Sequence, residues 1–186
     1  MRKLVFLLAL VLATAAPGFA QKYFTRDAKI MFNSDTKMEK IEGVNKSGTC
    51  VLDAATGKME WKVLIKGFQF EKALMQEHFN ENYMESSKYP NASFSGAIAN
   101  LSEVNFGKDG TYTVKVKGKM TIHGVAKDIE VPGTVKVGGG NAELAANFAV
   151  ACADYGISIP SVVKDNIAKE IKVAVNALLK PMKQGG

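Results

Sequence analysis

The sequence predicts an all-β fold: an eight-stranded antiparallel barrel with one helix between the third and fourth strands and a short helical turn before the last strand. Apolar and polar residues alternate along most of the chain, which is the pattern of strands with one dry face and one wet face. Glycine-containing turns separate these runs at the spacing of hairpins. Closing eight such strands into a barrel removes the edges that an open sheet exposes.

The clearest strands lie in the middle of the chain. Apolar residues alternate with Thr and Lys from Gly110 to Ile122, and a second alternating run covers residues 129–137. The dipeptide His123-Gly124 between them predicts a tight turn and therefore an antiparallel pair. The other six predicted strands cover residues 23–33, 41–54, 59–66, 92–101, 144–152 and 169–179.

Two segments predict helical structure. Residues Glu71 to Met84 contain no Gly or Pro and place apolar side chains such as Leu74 and Phe79 at helical spacing. The C-terminal run fits both a helical face and a strand. We predict a short helical turn over residues 162–167 followed by a strand, because the β-branched residues concentrate in the strand segment.

The N-terminus predicts a cleaved secretory signal over residues 1–20. Two basic residues precede an apolar run over residues 4–16, and Gly18 and Ala20 place small residues at the two positions that a signal peptidase inspects. The apolar run is shorter than the roughly 20 residues that a spanning helix needs, so we expect cleavage after Ala20 rather than a membrane anchor. The predicted mature chain, residues 21–186, has the length of one domain and no second apolar stretch that approaches a transmembrane segment.

Composition and charge limit the classes of function. The formal net charge is +6 at pH 7, and the Lys and Glu residues are interspersed rather than clustered, as on an ordinary solvated surface. The sequence has no Arg cluster and no basic run interleaved with aromatic residues, so it does not favour nucleic-acid binding. The interior of an eight-stranded barrel is either filled by side chains or just wide enough for one small ligand. The alternation leaves both possibilities open.

The chain contains two cysteines, Cys50 and Cys152. An exported protein could keep a disulfide between them. Both positions fall on the predicted inward face of their strands, where a thiol behaves as a small apolar residue. We therefore expect two buried, unlinked thiols.

The sequence gives little support for catalysis. It contains two histidines, His78 in the predicted helix and His123 in a turn, and it has no nucleophile elbow, phosphate loop or paired metal-ligand motif. Glu77 and Glu81 place carboxylates near the imidazole of His78, but a lone histidine with surface carboxylates is usually a solvated helix residue. We predict no enzyme activity, no cofactor and no metal site.

Three ordered stretches resemble landmarks of the YceI-like family. The first runs over residues 75–86 and into 88–94, the second covers 118–127, and the third is 154–157. The resemblance covers essentially the whole predicted mature chain. It implies an extended, lipocalin-like antiparallel barrel, usually periplasmic, that holds a long-chain amphiphile such as a polyisoprenoid in an elongated cavity. The loop at 107–110 is short for this family, and we expect it to shorten the tunnel.

On this resemblance we expect a periplasmic carrier for a polyisoprenoid or an isoprenoid-quinone-like lipid. The alternative is a dry-cored structural or adaptor barrel, and an enzyme acting on a lipid is less favoured. We expect the polar residues that influence ligand binding to lie at the mouth of the barrel. The candidates lie in the landmark stretches near strand ends: Tyr83, Lys88, His123 and Asp154. The ligand-binding residues should be large and lie on the predicted inward faces: Trp61, Val63, Phe68, Phe94, Val114, Met120, Phe148, Val150 and Val173.

Small inward residues give a way to test a tunnel. We expect that replacing Ala146 or Gly118 with Leu or Phe blocks a chain that threads the barrel.

Overall fold

The described part of the chain forms a closed barrel of eight antiparallel strands. The computed structural model describes residues 21–182. Each strand pairs with its neighbour in chain order, and the last strand pairs back with the first. The predicted fold class is confirmed. The predicted signal over residues 1–20 lies outside the described residues.

The strands are long, and the helical structure within residues 21–182 is confined to the connections. The strands are β1 (Lys22–Asp35), β2 (Lys40–Asp53), β3 (Lys58–Leu64), β4 (Asn91–Ile98), β5 (Gly110–Ile122), β6 (Val125–Gly138), β7 (Asn141–Ala151) and β8 (Glu170–Pro181). The helix α1 (Ala73–His78) continues into a π-helical segment (Phe79–Tyr83). Short 3-10 turns cover Ile65–Gly67, Leu101–Glu103, Cys152–Tyr155 and Ser161–Asn166.

Two predicted elements start later or end earlier than expected. The predicted helix from Glu71 begins only at Ala73, because Lys72 has extended backbone angles. The predicted strand over 92–101 ends at Ile98. After it, the side chain of Asn100 accepts a hydrogen bond from the Lys115 amide at 2.8 Å and donates to the Thr113 carbonyl at 3.1 Å, so a side chain takes the place of the next backbone ladder bonds.

The two ends of the barrel have different connections. At one end, which we call the short-loop end, the strands are joined by residues 54–57, 99–109 and 139–140. At the other, the long-loop end, they are joined by the hairpin at 36–39, the turn at 123–124 and two long connections over 65–90 and 152–169. All of the α-helical and π-helical structure within residues 21–182 therefore lies at the long-loop end.

The core is filled at the short-loop end. Leu52, Ala142 and Leu179 are each 0% exposed there. The 99–109 loop folds over this core, and the rings of Phe106 and Tyr23 pack with their centroids 5.7 Å apart. The loop therefore closes this end of the barrel.

Both thiols are free, as predicted. Cys50 is fully buried in the core, and Cys152 is half-buried. Burial raises the pKa of both thiols above the ordinary value. No helix within residues 21–182 has the length and apolar character required to cross a bilayer.

Candidate functional site

The interior of the barrel contains a cavity of about 630 Å³. Side chains from all eight strands and from α1 line it. Its volume lies within the range of ligand-binding pockets, roughly 300–1,000 Å³. The interior is thus filled at the short-loop end and hollow toward the long-loop end, which resolves the question that the alternation left open.

All nine residues predicted to bind ligand line this cavity. They come from β3 through β5, β7, β8 and the connection after β3, and their positions follow from the inward side of the alternating pattern. They are Trp61, Val63, Phe68, Phe94, Val114, Met120, Phe148, Val150 and Val173. Their role in ligand binding stays a prediction.

Small residues on two neighbouring strands help to create the space. Gly133 on β6 and Ala146 on β7 are directly paired, and both line the cavity. A larger side chain at Ala146 would project into the hollow, whereas a Cβ atom at Gly133 would lie only 2.8 Å from the Ala145 carbonyl oxygen. The expectation that a larger residue in place of Ala146 blocks the barrel interior is therefore consistent with its position.

The expectation that a larger residue at position 118 would block the tunnel is wrong. Gly118 pairs with Gly96 across β4 and β5, and it does not line the cavity. A Cβ atom built at Gly118 would meet the Ser95 carbonyl oxygen and the Gly96 Cα, so the two backbones approach too closely for any side chain. The ring of Phe94 lies over this glycine pair. A bulky residue there would disrupt the sheet before it blocked a tunnel.

An aromatic cluster covers part of the cavity toward the long-loop end. Phe79 packs against Phe32, Phe68 and Phe70 with ring centroids 5.3, 5.5 and 5.0 Å away. All four rings line the cavity. The cluster joins β1 to the π-helical segment that carries Phe79, so it fixes the helical connection above the barrel interior.

A polar cluster lies in the same lining. Asn166 Nδ2 donates a hydrogen bond to Glu39 Oε2 at 3.2 Å, and the Ala168 amide donates to Ser34 Oγ at 2.8 Å. Glu39, Asn166, Ser34 and Tyr83 all line the cavity. Burial raises the pKa of Tyr83, and the nearby negative charges of Glu39 and Cys152 raise it further. The phenol of Tyr83 thus lies within electrostatic reach of the Glu39 carboxylate.

Of the four residues predicted at the mouth, only Tyr83 lines the cavity. Lys88, His123 and Asp154 lie outside the lining, and their predicted role at the mouth stays a prediction. Asp154 is exposed. Lys88 lies over the ring of Tyr89, with Nζ 4.9 Å from the ring centroid.

His123 instead joins three segments of the long-loop end. Its Nδ1–H donates to the Tyr155 carbonyl oxygen at 3.2 Å, and its Nε2 lies 2.7 Å from Glu85 Oε2. The Tyr89 ring packs edge-on against the imidazole with centroids 4.5 Å apart. We call Glu85, Tyr89, His123 and Tyr155 the clamp. The three family-like landmarks therefore meet in space, but at a structural contact beside the barrel mouth.

The clamp explains why a glycine follows His123 in the turn between β5 and β6. Gly124 has φ +74°, and a Cβ atom there would lie 2.5 Å from Tyr89 Cε1. Both the positive φ and the packed tyrosine ring exclude a side chain at this position.

Two basic residues, one at the N-cap and one at the last position of α1, also reach the cavity. Lys72 and His78 line it, and both side chains are exposed. The residues that the structure describes contain no group of three or more His, Cys, Asp or Glu side chains placed to hold a metal ion, so Glu77, His78 and Glu81 do not form such a group.

The closed eight-stranded barrel with an apolar interior cavity defines a lipocalin-like barrel. The sequence profile of the YceI-like domain matches residues 24–179. This chain therefore belongs to the YceI-like family, and the resemblance found in the three landmark stretches is confirmed.

Solved structures share the fold. A polyisoprenoid-binding domain from Saccharophagus degradans is 12% identical with a TM-score of 0.75, over 88% of this chain and 99% of that domain. BcnA from Burkholderia cenocepacia is 21% identical with a TM-score of 0.67, over 82% of this chain and 95% of its own. The YceI protein of Campylobacter jejuni is 19% identical with a TM-score of 0.57, over 76% and 85%. No curated protein sequence matches this chain.

Proposed function

We propose that this protein binds one long-chain amphiphile in the barrel cavity and carries it in the periplasm. A polyisoprenoid or isoprenoid-quinone-like chain is preferred over fatty acids and amides. The observation that carries the proposal is the cavity of about 630 Å³, whose lining is mostly apolar and has most of its polar groups toward the long-loop end. Membership of the YceI-like family and the fold shared with a polyisoprenoid-binding domain support it.

The apolar lining supplies the binding energy in this proposal. Burial of apolar surface contributes ~25 cal/mol per Å², and the cost of ordering a flexible chain offsets part of that gain. The Phe106 and Tyr23 contact closes the short-loop end. A chain therefore enters from the long-loop end, and a chain longer than the cavity leaves its remainder outside.

Export is the second part of the proposal. The predicted signal over residues 1–20 supports it, with Gln21 as the mature N-terminus. Intact-mass analysis of the exported protein tests the cleavage site. A mature form that still carries residues 1–20 contradicts it.

Mass spectrometry of an organic extract from the purified protein tests lipid binding. We expect one long-chain lipid at a stoichiometric amount. Ala146→Phe fills the cavity and should abolish co-purification, whereas Ala149→Phe, an exposed position on the same strand, should leave it unchanged. Thermal unfolding checks that both variants fold, and Ala146→Leu serves as a milder replacement.

Two results contradict the proposal in different ways. If the wild-type protein is folded and empty and takes up no added lipid, the barrel is a structural or adaptor protein. If folded Ala146→Phe retains the same lipid at the same stoichiometry, the lipid binds on the outer surface and the interior is not the site.

A further inference from the structure

The polar cluster has unused hydrogen-bonding capacity that faces the cavity. Glu39 Oε2 accepts from Asn166 Nδ2. Within residues 21–182, Glu39 Oε1 and the Tyr83 hydroxyl make no hydrogen bond, and neither is among the fully enclosed polar atoms that lack a partner. Both atoms are thus accessible to solvent rather than enclosed by protein. These two atoms therefore remain open to a ligand in a lining that is otherwise mostly apolar.

We propose that Glu39 and Tyr83 form a head-group site that selects an uncharged, hydrogen-bond-donating head group, such as a hydroxyl, over a phosphate or carboxylate. This inference rests on the proposed lipid-binding function. A carboxylate oxygen only accepts hydrogen bonds, whereas a phenol both donates and accepts. A ligand hydroxyl can donate to Glu39 Oε1 and accept from the Tyr83 hydroxyl.

Charge makes this site selective. An anionic head group beside Glu39 is repelled, and the repulsion is stronger in an apolar, partly enclosed cavity than in water. Glu39 is half-buried, and the uncharged residues Ser34, Asn166 and Tyr83 lie in the same lining. Its basic hairpin neighbours Lys37 and Lys40 are exposed and lie outside that lining.

The basic residues of the lining lie at the two ends of α1. Lys72 and His78 are both exposed, where water and salt screen the charge of Lys72. Within the described part of the chain neither makes an ion pair with Glu39. A phosphate held by Lys72 is the competing arrangement, and the experiment distinguishes it.

Competition binding tests the selectivity. Delipidated mature protein is loaded with a fluorescent apolar probe, which is displaced by a twenty-carbon prenol or by the monophosphate of the same prenol. We expect the prenol to bind about tenfold more tightly, since like-charge contacts in binding sites are costly. Glu39→Gln should bring the two affinities within about threefold, mainly by improving phosphate binding. Its amide oxygen can still accept from Asn166, so the local fold is kept.

Three further variants complete the design. Glu42→Gln, an exposed carboxylate outside the cavity, should leave the ratio unchanged. Tyr83→Phe should weaken prenol binding, and it provides a second test of the head-group site if Glu39→Gln does not fold. Lys72→Gln should affect neither ligand.

Each contrary result has its own meaning. Equal affinities that Glu39→Gln and Tyr83→Phe do not change overturn the head-group site and leave lipid binding in place. Tighter binding of the phosphate that is lost in Lys72→Gln assigns head-group recognition to α1 and also overturns it. If neither ligand displaces the probe and neither binds directly, the proposed function fails, and the inference fails with it.

Discussion

The two halves of the barrel are built from the same strands but have opposite interiors. At the short-loop end the inward residues are fully enclosed, as Leu52 and Leu179 show, and Phe106 closes the end from a loop. Toward the long-loop end the same alternation lines a cavity, and the small pair Gly133 and Ala146 lies in that lining. The alternation thus decides which side chains point inward, whereas side-chain size and the connecting loops decide whether the interior is filled.

This difference should separate residues that mainly stabilise the fold from residues that mainly bind the ligand. A close-packed core loses free energy whenever a methylene group is removed from it. The lining of a cavity has fewer partner atoms to lose, because one side of each residue already faces space. Mutations in the two halves should therefore differ in their balance between unfolding and ligand loss.

The largest expected effect compares the same substitution in the two halves. Ile98 is buried in the filled half and does not line the cavity, whereas Ile171 is half-buried and lines it. Ile98→Ala should lower the free energy of unfolding by about 3 kcal/mol, and Ile171→Ala by about 1 kcal/mol, because only the first opens a new cavity in a packed core. Urea unfolding of both variants measures the difference.

Lipid retention is the second measurement on this pair. Ile171→Ala should change the lipid affinity, and Ile98→Ala should not while the protein is folded. Equal destabilisation by both variants would show that the hollow half is packed as tightly as the filled one.

The clamp provides the next test, because it lies at the long-loop end but outside the cavity. His123→Ala removes the contacts with the Tyr155 carbonyl and Glu85, and it should cost about 1–2 kcal/mol of unfolding free energy. The affinity for lipid should stay unchanged, since His123 does not line the cavity. Asp154→Ala, at an exposed neighbouring position, is the matched control. If His123→Ala lost lipid binding while its free energy of unfolding stayed unchanged, the result would instead support a role of His123 at the mouth of the cavity.

Much of the fold could be predicted because strand alternation is a local signal. The bounds of β5 were predicted as Gly110 to Ile122, as observed, and the nine predicted lining residues follow from the same period of two. The π-helical segment was not predicted, because a helical run of apolar residues does not reveal that the helix widens at Phe79. Phe32 and Phe70, which pack on Phe79, were not among the predicted lining residues.

The polar end of the site could not be predicted. Glu39 and Asn166 are 127 residues apart in the chain and lie in connections, where no periodicity tells which way a side chain points. The same absence of orientation explains why the sequence could not show that Lys88, His123 and Asp154 do not line the cavity. Their sequence landmarks indicated importance, but the structure places the imidazole of His123 against Glu85 and Tyr155 rather than in the cavity.

Chemical labelling of the two cysteines compares the two halves of the barrel. The thiolate is the reactive form, and burial raises the pKa of both thiols, so both should react slowly with a maleimide. Cys152 lines the cavity, whereas Cys50 is fully buried in the packed core. Native protein should therefore label at Cys152 roughly tenfold faster than at Cys50.

Lipid loading sharpens the labelling test. Bound lipid should slow the reaction of Cys152 and leave that of Cys50 unchanged. The variants Cys50→Ala and Cys152→Ala assign each rate by mass spectrometry. Equal rates at the two positions, or no protection of Cys152 by a bound lipid, would contradict the placement of Cys152 in an accessible cavity.

The smallest expected effect is a change in the titration of Tyr83. Burial raises its pKa above the ordinary 10.0, and the charges of Glu39 and Cys152 raise it further. Glu39→Gln should lower that pKa without restoring the ordinary value, because the burial remains. The phenolate absorbance of wild type minus that of Tyr83→Phe isolates this group, and Glu42→Gln is the control.

The sign of the linked stability change follows from the same shift. A raised pKa means that the folded state holds the phenol proton more tightly than the unfolded chain does, so ionisation favours unfolding. This contribution is fully present below pH 10 and is lost as the pH rises through the pKa of the folded protein. The free energy of unfolding should thus fall less steeply above pH 10 in Tyr83→Phe and in Glu39→Gln, although Tyr23 and Tyr155, whose pKa values are also raised by burial, keep part of the slope. An unchanged Tyr83 titration in Glu39→Gln would place the phenol out of reach of the carboxylate, and the two groups could not then share one ligand head group.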